Sequence, residues 1–428
     1  MVLAGLSGVA EAGGFALIGQ SARSAGTGYA GASALAGGPD TVHYNPSGMA
    51  FLEGRILSSS ADLLFPRSDF EDGGSTDVLG LPRLGRNGDG GEFGIVPSGY
   101  AILPLGPDFR IGFSLNAPYG QKTDYPSDFI GRYEAGLSEL LVIDAGIALS
   151  AKLTENIAVG GGFNFVYAET VLTNAVDFGA ICLGAIGAQC LDIGLAPQQA
   201  DGRARLEADG FSTNFSLGVM GSWDWGRLGL AFRAPLTIGL AGDAEFFVPD
   251  AAQFLTASGA FADTGASADF DLPATISLGA AINATDELTL LGQVIWTGWS
   301  IVDETVVVYQ NPAQPDTALV SNYDDSFYVS VGATYDVSER LTLRGGVAYD
   351  ETPLDGAFRT PRLPGESTVS IAVGLGYQLT ESVALDIAYQ HFFFQTADFD
   401  FSDPAAGQLV GSTDNASDVV SLQLSWTF

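Results

Sequence analysis

Few side chains in this 428-residue chain have the type and spacing needed to make or break covalent bonds. Its two histidines, His43 and His391, stand alone, no Ser-His-Asp arrangement is legible, and no motif cradles a phosphate. The only cysteines, Cys182 and Cys190, share one loop-like segment without a histidine, which in an exported chain suggests a local disulfide and not a metal site. No catalytic residue, metal or cofactor is expected, so the remaining candidates bind or shape. Phe254, Leu255 and Phe261 make an apolar stretch in an acidic connection, either a contact surface or packing of that loop onto its neighbours. Asn116, Pro118 and Gly120 close an extended run with residues that interrupt a hydrogen-bond ladder, and either shape an opening or simply end the strand.

Composition narrows what must position these residues. Fifty Asp+Glu against 17 Lys+Arg give a formal charge of −33, yet 46% of residues are hydrophobic and the mean hydropathy is +0.23. With 27 Phe, 14 Tyr and 5 Trp the chain has ample apolar surface to bury, which excludes disorder. A nucleic-acid partner is excluded by the want of any basic patch, Lys122 and Lys152 being the only lysines. No run of about 18 apolar residues occurs, so the chain has no membrane helix. Transmembrane β-strands remain, because they give positive hydropathy without long apolar blocks.

From about residue 55 the sequence alternates with period two. Val369, Ile371, Val373, Leu375 and Tyr377 fall on one face of a strand, and Thr368, Ser370, Ala372, Gly374 and Gly376 on the other. The second face is small and semi-polar instead of charged, which suits a crowded barrel lumen better than a solvated surface. Tight polar turns recur at Leu153-Thr-Glu-Asn-Ile157, Ala284-Thr-Asp-Glu-Leu288, Val337-Ser-Glu-Arg-Leu341 and Leu379-Thr-Glu-Ser-Val383, with two more near 105–108 and 223–226. Longer connections rich in Asp, Gly, Pro and Ser alternate with them. Together they delimit fourteen strands, at about 55–70, 91–104, 108–119, 140–153, 156–173, 209–223, 226–247, 269–283, 287–309, 323–336, 340–350, 366–378, 382–399 and 416–428. An even number of antiparallel strands closes an up-and-down barrel, all-β and transmembrane, with short turns toward the periplasm and acidic long loops outside. Trp223, Trp225, Tyr335 and Tyr377 near the short turns match an aromatic belt, and Leu424-Ser-Trp-Thr-Phe428 ends the chain as outer-membrane barrels commonly end.

Residues 1–12 are short and apolar and end in Ala10-Glu-Ala12, which reads as the remnant of a secretory signal cleaved after Ala12, or else as a buried N-terminal strand. Residues 13–54, rich in Gly and Ala, precede the barrel at 55–428 and are expected to fold into its lumen as a plug. Ser24-Ala-Gly-Thr-Gly-Tyr-Ala-Gly-Ala-Ser33 followed by Tyr44-Asn-Pro-Ser47 resembles the hatch of the outer-membrane long-chain fatty acid and hydrocarbon transporter family, the FadL type, with Ser47 in place of the family's Ala. Asn116-Ala-Pro-Tyr-Gly120 with Gly131-Arg-Tyr-Glu-Ala135 resembles the end of that family's third strand and the loop after it. Gly346-Val-Ala-Tyr-Asp350, Thr360-Pro-Arg-Leu-Pro364 and Gly374-Leu-Gly-Tyr377 are similar to its C-terminal signature. The likeness spans nearly the whole chain.

The resemblance implies passive uptake of hydrophobic compounds, foremost long-chain fatty acids. An outer groove, for which Phe254, Leu255 and Phe261 are candidates, captures the ligand and a pocket in the barrel holds it. A hatch fixed by Asn45 and Pro46 then rearranges, and a lateral opening shaped by Asn116, Pro118 and Gly120 releases the ligand into the membrane. A carboxylate needs a cation, for which inward-facing Arg344 and Arg132 are the candidates; the alternative for each is an ion pair with a lumen Asp or Glu. The expected setting is a monomer in the bacterial outer membrane, its partners hydrophobic small molecules and outer-membrane lipid, with no nucleic acid. The alternative cargo is an alkane or aromatic hydrocarbon, which needs no cation. A polar diffusion porin is disfavoured by the plug-like N-terminus, and an outer-membrane enzyme by the missing nucleophile constellation.

Overall fold

A computed structural model describes residues 13–428, so the expected signal remnant at 1–12 lies outside the described residues. Where small and large residues alternate, the backbone is extended and pairs antiparallel with its neighbours. The strands are β1 (Ile56–Asp72), β2 (Gly94–Pro104), β3 (Phe109–Asp124), β4 (Leu137–Lys152), β5 (Ile157–Asp177) and β6 (Asp201–Trp223). They continue with β7 (Gly226–Arg233 and Leu236–Phe247), β8 (Thr264–Leu272 and Thr275–Asn283), β9 (Leu288–Thr297 and Glu304–Tyr309) and β10 (Ser326–Ser338). The last four are β11 (Leu341–Asp350), β12 (Thr368–Gln378), β13 (Val383–Phe394 and Ala397–Asp403) and β14 (Gly407–Thr427). β14 returns to β1 from Ile56↔Thr427 to Asp72↔Gly411, which closes a fourteen-stranded antiparallel barrel.

The barrel is inside-out relative to a soluble protein. On β12 the exposed side chains are Val369, Ile371, Val373, Leu375 and Tyr377, and the buried ones include Thr368, Ser370 and Ala372. On β1 the outward series runs Leu57, Ser59, Ala61, Leu63, Phe65 and then Arg67, Asp69 and Glu71. The apolar part of that series spans the roughly 9–11 residues needed to cross a bilayer, beyond which the strand rises into water. Asp69, Glu71 and Asp72 on β1, and Asp398, Asp400 and Asp403 on β13, therefore sit on strand extensions and not in connections. Near the short turns the stacked pair Trp223 and Trp225, with Tyr335, Tyr377, Trp426 and Phe428 exposed, forms an interfacial belt.

Residues 13–52 run inside the barrel with two short helices, α1 (Ala22–Ala25) and α2 (Thr41–Tyr44), and a 3₁₀ turn at Pro46–Phe51. Glycines on the inner wall make room for them. A Cβ on Gly346 would strike the Thr27 carbonyl, and one on Gly160 or Gly218 would strike Ser47 or Asn45. The segment's polar groups are met by the wall: Ser21 Oγ lies 2.9 Å from Gln423 Oε1, Ser33 N donates to Gln293 Oε1, and Tyr328 Oη donates to Gly28 O. At the long-loop end, α3 (Phe178–Ile186) and α4 (Gln189–Asp192) are joined by the Cys182–Cys190 disulfide and pack against the 250–258 turn.

Candidate functional site

The upper halves of the strands and the long connections enclose a cavity of about 460 Å³, within the range of small-molecule sites. Its walls are mostly apolar, with Leu140, Leu240, Phe270, Val307 and Leu354 lining it alongside Phe15 of the N-terminal segment, and the carboxylates of Glu134, Glu139, Asp355 and Asp403 border it as well. Phe15 is held by Trp299 in an edge-on contact with ring centroids 4.7 Å apart. Trp299 is fully buried where β9 breaks between its two parts.

One cation reaches this cavity. Arg362 lies in the 351–367 connection, whose backbone is drawn into the barrel mouth because the Arg362 carbonyl accepts from Gln121 Nε2 and Thr123 Oγ1 on β3. Its guanidinium donates to Ser138 Oγ on β4 (3.0 Å) and to Asn174 Oδ1 on β5 (3.3 Å), both neutral. No described carboxylate forms an ion pair with it. Burial pulls Arg362 down to about 10, with the charge of Glu134 acting the other way, so it is a cation at neutral pH. Glu134 itself is held by Arg83 through two hydrogen bonds of 2.7 and 2.8 Å.

Beside the cavity the wall is interrupted. β2 and β3 pair only from Pro104↔Arg110 to Gly99↔Leu115. At that point β3 bulges: Asn116 faces Asp144 on β4 and Tyr119 faces Val142, so Ala117 and Pro118 together oppose one residue. Asn116–Gln121 are then buried at six successive positions, the loss of alternation that a strand shows on turning into the lumen. The edge that β2 leaves unpaired is taken by the N-terminal segment, through Leu17 N to Pro118 O (2.8 Å) and Gly120 N to Phe15 O (2.9 Å).

The residues singled out from sequence are distributed as follows. Asn116, Pro118 and Gly120 lie together at this bulge. Asn45 is buried, caps the Pro46–Phe51 turn and donates to the Ser33 carbonyl. Arg344 is inward-facing but paired with Asp386 at 2.8 Å, which Arg23 also approaches, and it does not line the cavity. Arg132 is bound by Asp201 at 2.8 Å and stacks on Tyr133. Both arginines thus follow the ion-pair alternative, since a buried guanidinium already neutralised has no charge to spare. Leu255 and Phe261 pack into the α3–α4 cluster, Phe261 edge-on to Phe178, while Phe254 alone is exposed. Arg362 and Phe15 were missed as site residues, although both fall within blocks that carry the family resemblance or the segment before it.

A family model described as outer membrane protein transport protein (OMPP1/FadL/TodX) matches residues 3–428. The long-chain fatty acid transport protein of Escherichia coli O6:H1 is 23% identical over 404 residues, covering 92% of this chain and 90% of that one. The crystal structure of a Pseudomonas aeruginosa FadL homologue superposes with a TM-score of 0.90 at 23% identity, over 97% of this chain and 100% of that one. The Pseudomonas putida toluene transporter TodX superposes at 0.73 with 18% identity, over 97% and 100%.

Proposed function

This chain belongs to the outer membrane protein transport protein family (OMPP1/FadL/TodX) and is an outer-membrane transporter of hydrophobic compounds, and on that premise we propose that it takes up long-chain fatty acids by passive diffusion. The outer loops capture the ligand, with Phe254 as an exposed anchor. The cavity holds the acyl chain with its carboxylate at Arg362. Residues 13–54 act as a hatch whose movement frees the unpaired edge of β3, and the ligand leaves sideways between β2 and β3 into the membrane. The barrel, residues 55–428, works as a monomer surrounded by outer-membrane lipid.

The observation that carries this reading is Arg362: a half-buried guanidinium, hydrogen-bonded only to the neutral Ser138 and Asn174, in a mostly apolar cavity whose bordering Glu134 and Glu139 are already taken by Arg83 and Lys122. Such a group is costly unless a counter-charge arrives, which a fatty acid supplies. The chain gains about 0.8 kcal/mol per buried CH₂ and would lose much of that in a watery pore, so lateral exit into lipid conserves it. A second reading, neutral hydrocarbons, is favoured by the acidic strand extensions at the mouth, which repel an anion unless salt screens them within about 8 Å. Uptake of oleate, hexadecane and toluene by cells or proteoliposomes with and without the protein decides. Fastest accumulation of oleate supports the proposal, a lead for hexadecane or toluene supports the second reading, and no acceleration of any of the three overturns both.

A further inference from the structure

Beside the bulge lies a smaller chamber of about 120 Å³, bordered by Leu17, His43, Tyr119, Arg233 and Trp299, none of which lines the large cavity. Four side chains from four elements meet at its edge. Arg233, the last residue of the first part of β7, donates through Nη1 to Asp144 Oδ2 of β4 at 2.5 Å. Its Nη2 lies 3.1 Å from His43 Nδ1 in α2, and Asn116 Nδ2, at the start of the β3 bulge, lies 2.9 Å from that same nitrogen.

The donor inventory settles the protonation pattern. A guanidinium can only donate, so Nδ1 of His43 must accept from Arg233, which leaves the imidazole neutral with its proton on Nε2. The same acceptor then orients the Asn116 amide with its NH₂ toward the ring. Asn116 and Asp144 are also the last backbone partners before the register slips. One guanidinium therefore holds the strand opposite the bulge directly, and His43, which it also holds, ties in the N-terminal segment and Asn116, the residue that begins the bulge.

We propose that Arg233 is a positioning residue that docks the N-terminal segment onto the β3 bulge through His43, with Asp144 and Asn116 completing the clamp, so that the break between β2 and β3 stays covered until this clamp opens. Its consequence for ligand release rests on the transporter reading above; the docking does not.

Ala16 and Tyr119 are bridge partners across the covered edge, so an A16C/Y119C pair reports docking by its rate of disulfide formation. In the purified full-length barrel that pair is compared in three backgrounds: native, H43F, and R233M/D144N. H43F removes the acceptor from a segment outside the wall and keeps an aromatic ring against Tyr44. R233M/D144N removes the guanidinium without stranding a buried carboxylate. Loss of charge-assisted hydrogen bonds is expected to slow cross-linking roughly tenfold or more in both variants, with heat-modifiability of the barrel and affinity of the large cavity for oleate unchanged. Cross-linking at the native rate in H43F overturns the proposal, even if R233M/D144N fails to fold. Failure of the native protein to speed uptake of any hydrophobic compound would remove the transporter reading and leave the cross-linking result intact.

Discussion

The amide of Leu17 donates a 2.8 Å hydrogen bond to the carbonyl of Pro118, so the N-terminal segment occupies a ladder position that β2 leaves empty. The vacancy exists because β3 carries one extra residue between its pairings with Asp144 and Val142. Deleting Pro118 removes that residue and should let the β3–β4 ladder run without a slip, drawing β3 back into the wall beside β2. The expected outcome is a heat-modifiable barrel whose oleate uptake falls toward that of cells lacking the protein. Uptake at the native rate by the deletion would show that the bulge has no part in release.

Gly346 tests how tightly the segment fills the lumen. A Cβ there would collide with the Thr27 carbonyl and the Gly28 amide, both backbone, so no rotamer change relieves the clash. Gly292 offers a control, since a Cβ there meets nothing within 4 Å. Gly346→Val should displace the segment around residues 26–29 and raise single-channel conductance in a planar bilayer, with Gly292→Val indistinguishable from native. Equal conductance in all three proteins would mean that the segment moves aside without opening a path.

The strands were legible because a period-two pattern with small residues on one side needs no long-range information: the alternation from Thr368 to Tyr377 predicts the observed faces residue by residue. Strand ends were less so. β6 begins at Asp201 and β14 at Gly407, several residues earlier than the apolar pattern starts, because a strand standing in water keeps its ladder after its side chains turn polar. The break in the wall was hidden for another reason. Asn116, Pro118 and Gly120 mark an irregularity locally, but whether β2 follows β3 past Leu115 depends on residues 15–17, a hundred positions away. Arg362 was overlooked because its aim depends on how a seventeen-residue connection folds, and Arg344, which alternation places in the lumen, meets Asp386 there.

The Cys182–Cys190 disulfide closes a short loop, eight positions apart, and by the chain-entropy estimate contributes about 2–3 kcal/mol to the local cluster. That cluster, with Phe178, Leu195 and Ala252 at its core, meets the barrel only at the upper strand ends, through Val176 of β5, Gly202 of β6 and Phe246 of β7. C182S/C190S should therefore leave the heat-modifiable barrel untouched while exposing residues 178–200 to limited proteolysis and weakening ligand capture. A protease pattern identical to that of the native protein with its disulfide intact, under non-reducing conditions, would show that apolar packing alone holds the loop.

Arg362 makes carboxylate recognition separable from chain binding. Replacing it with Met keeps an unbranched apolar stem and removes the charge, which should weaken oleate in the cavity by about 10- to 100-fold, the worth of one charge-assisted hydrogen bond, and leave hexadecane unaffected or tighter. The pH dependence has a defined sign. Arg362 is pulled below the usual arginine range to about 10, so the cation that receives the carboxylate is present below that pH and lost as pH rises through it. Native oleate affinity should therefore hold from neutrality to about pH 9 and then fall, whereas hexadecane affinity should stay flat across the same interval and R362M should show no alkaline limb for either ligand. Equilibrium competition against a fluorescent fatty acid, read from pH 7 to 11, measures all three. An alkaline loss for hexadecane equal to that for oleate would trace the effect to loosening of the loops and not to Arg362, and would return the choice between fatty acid and hydrocarbon to the uptake measurement.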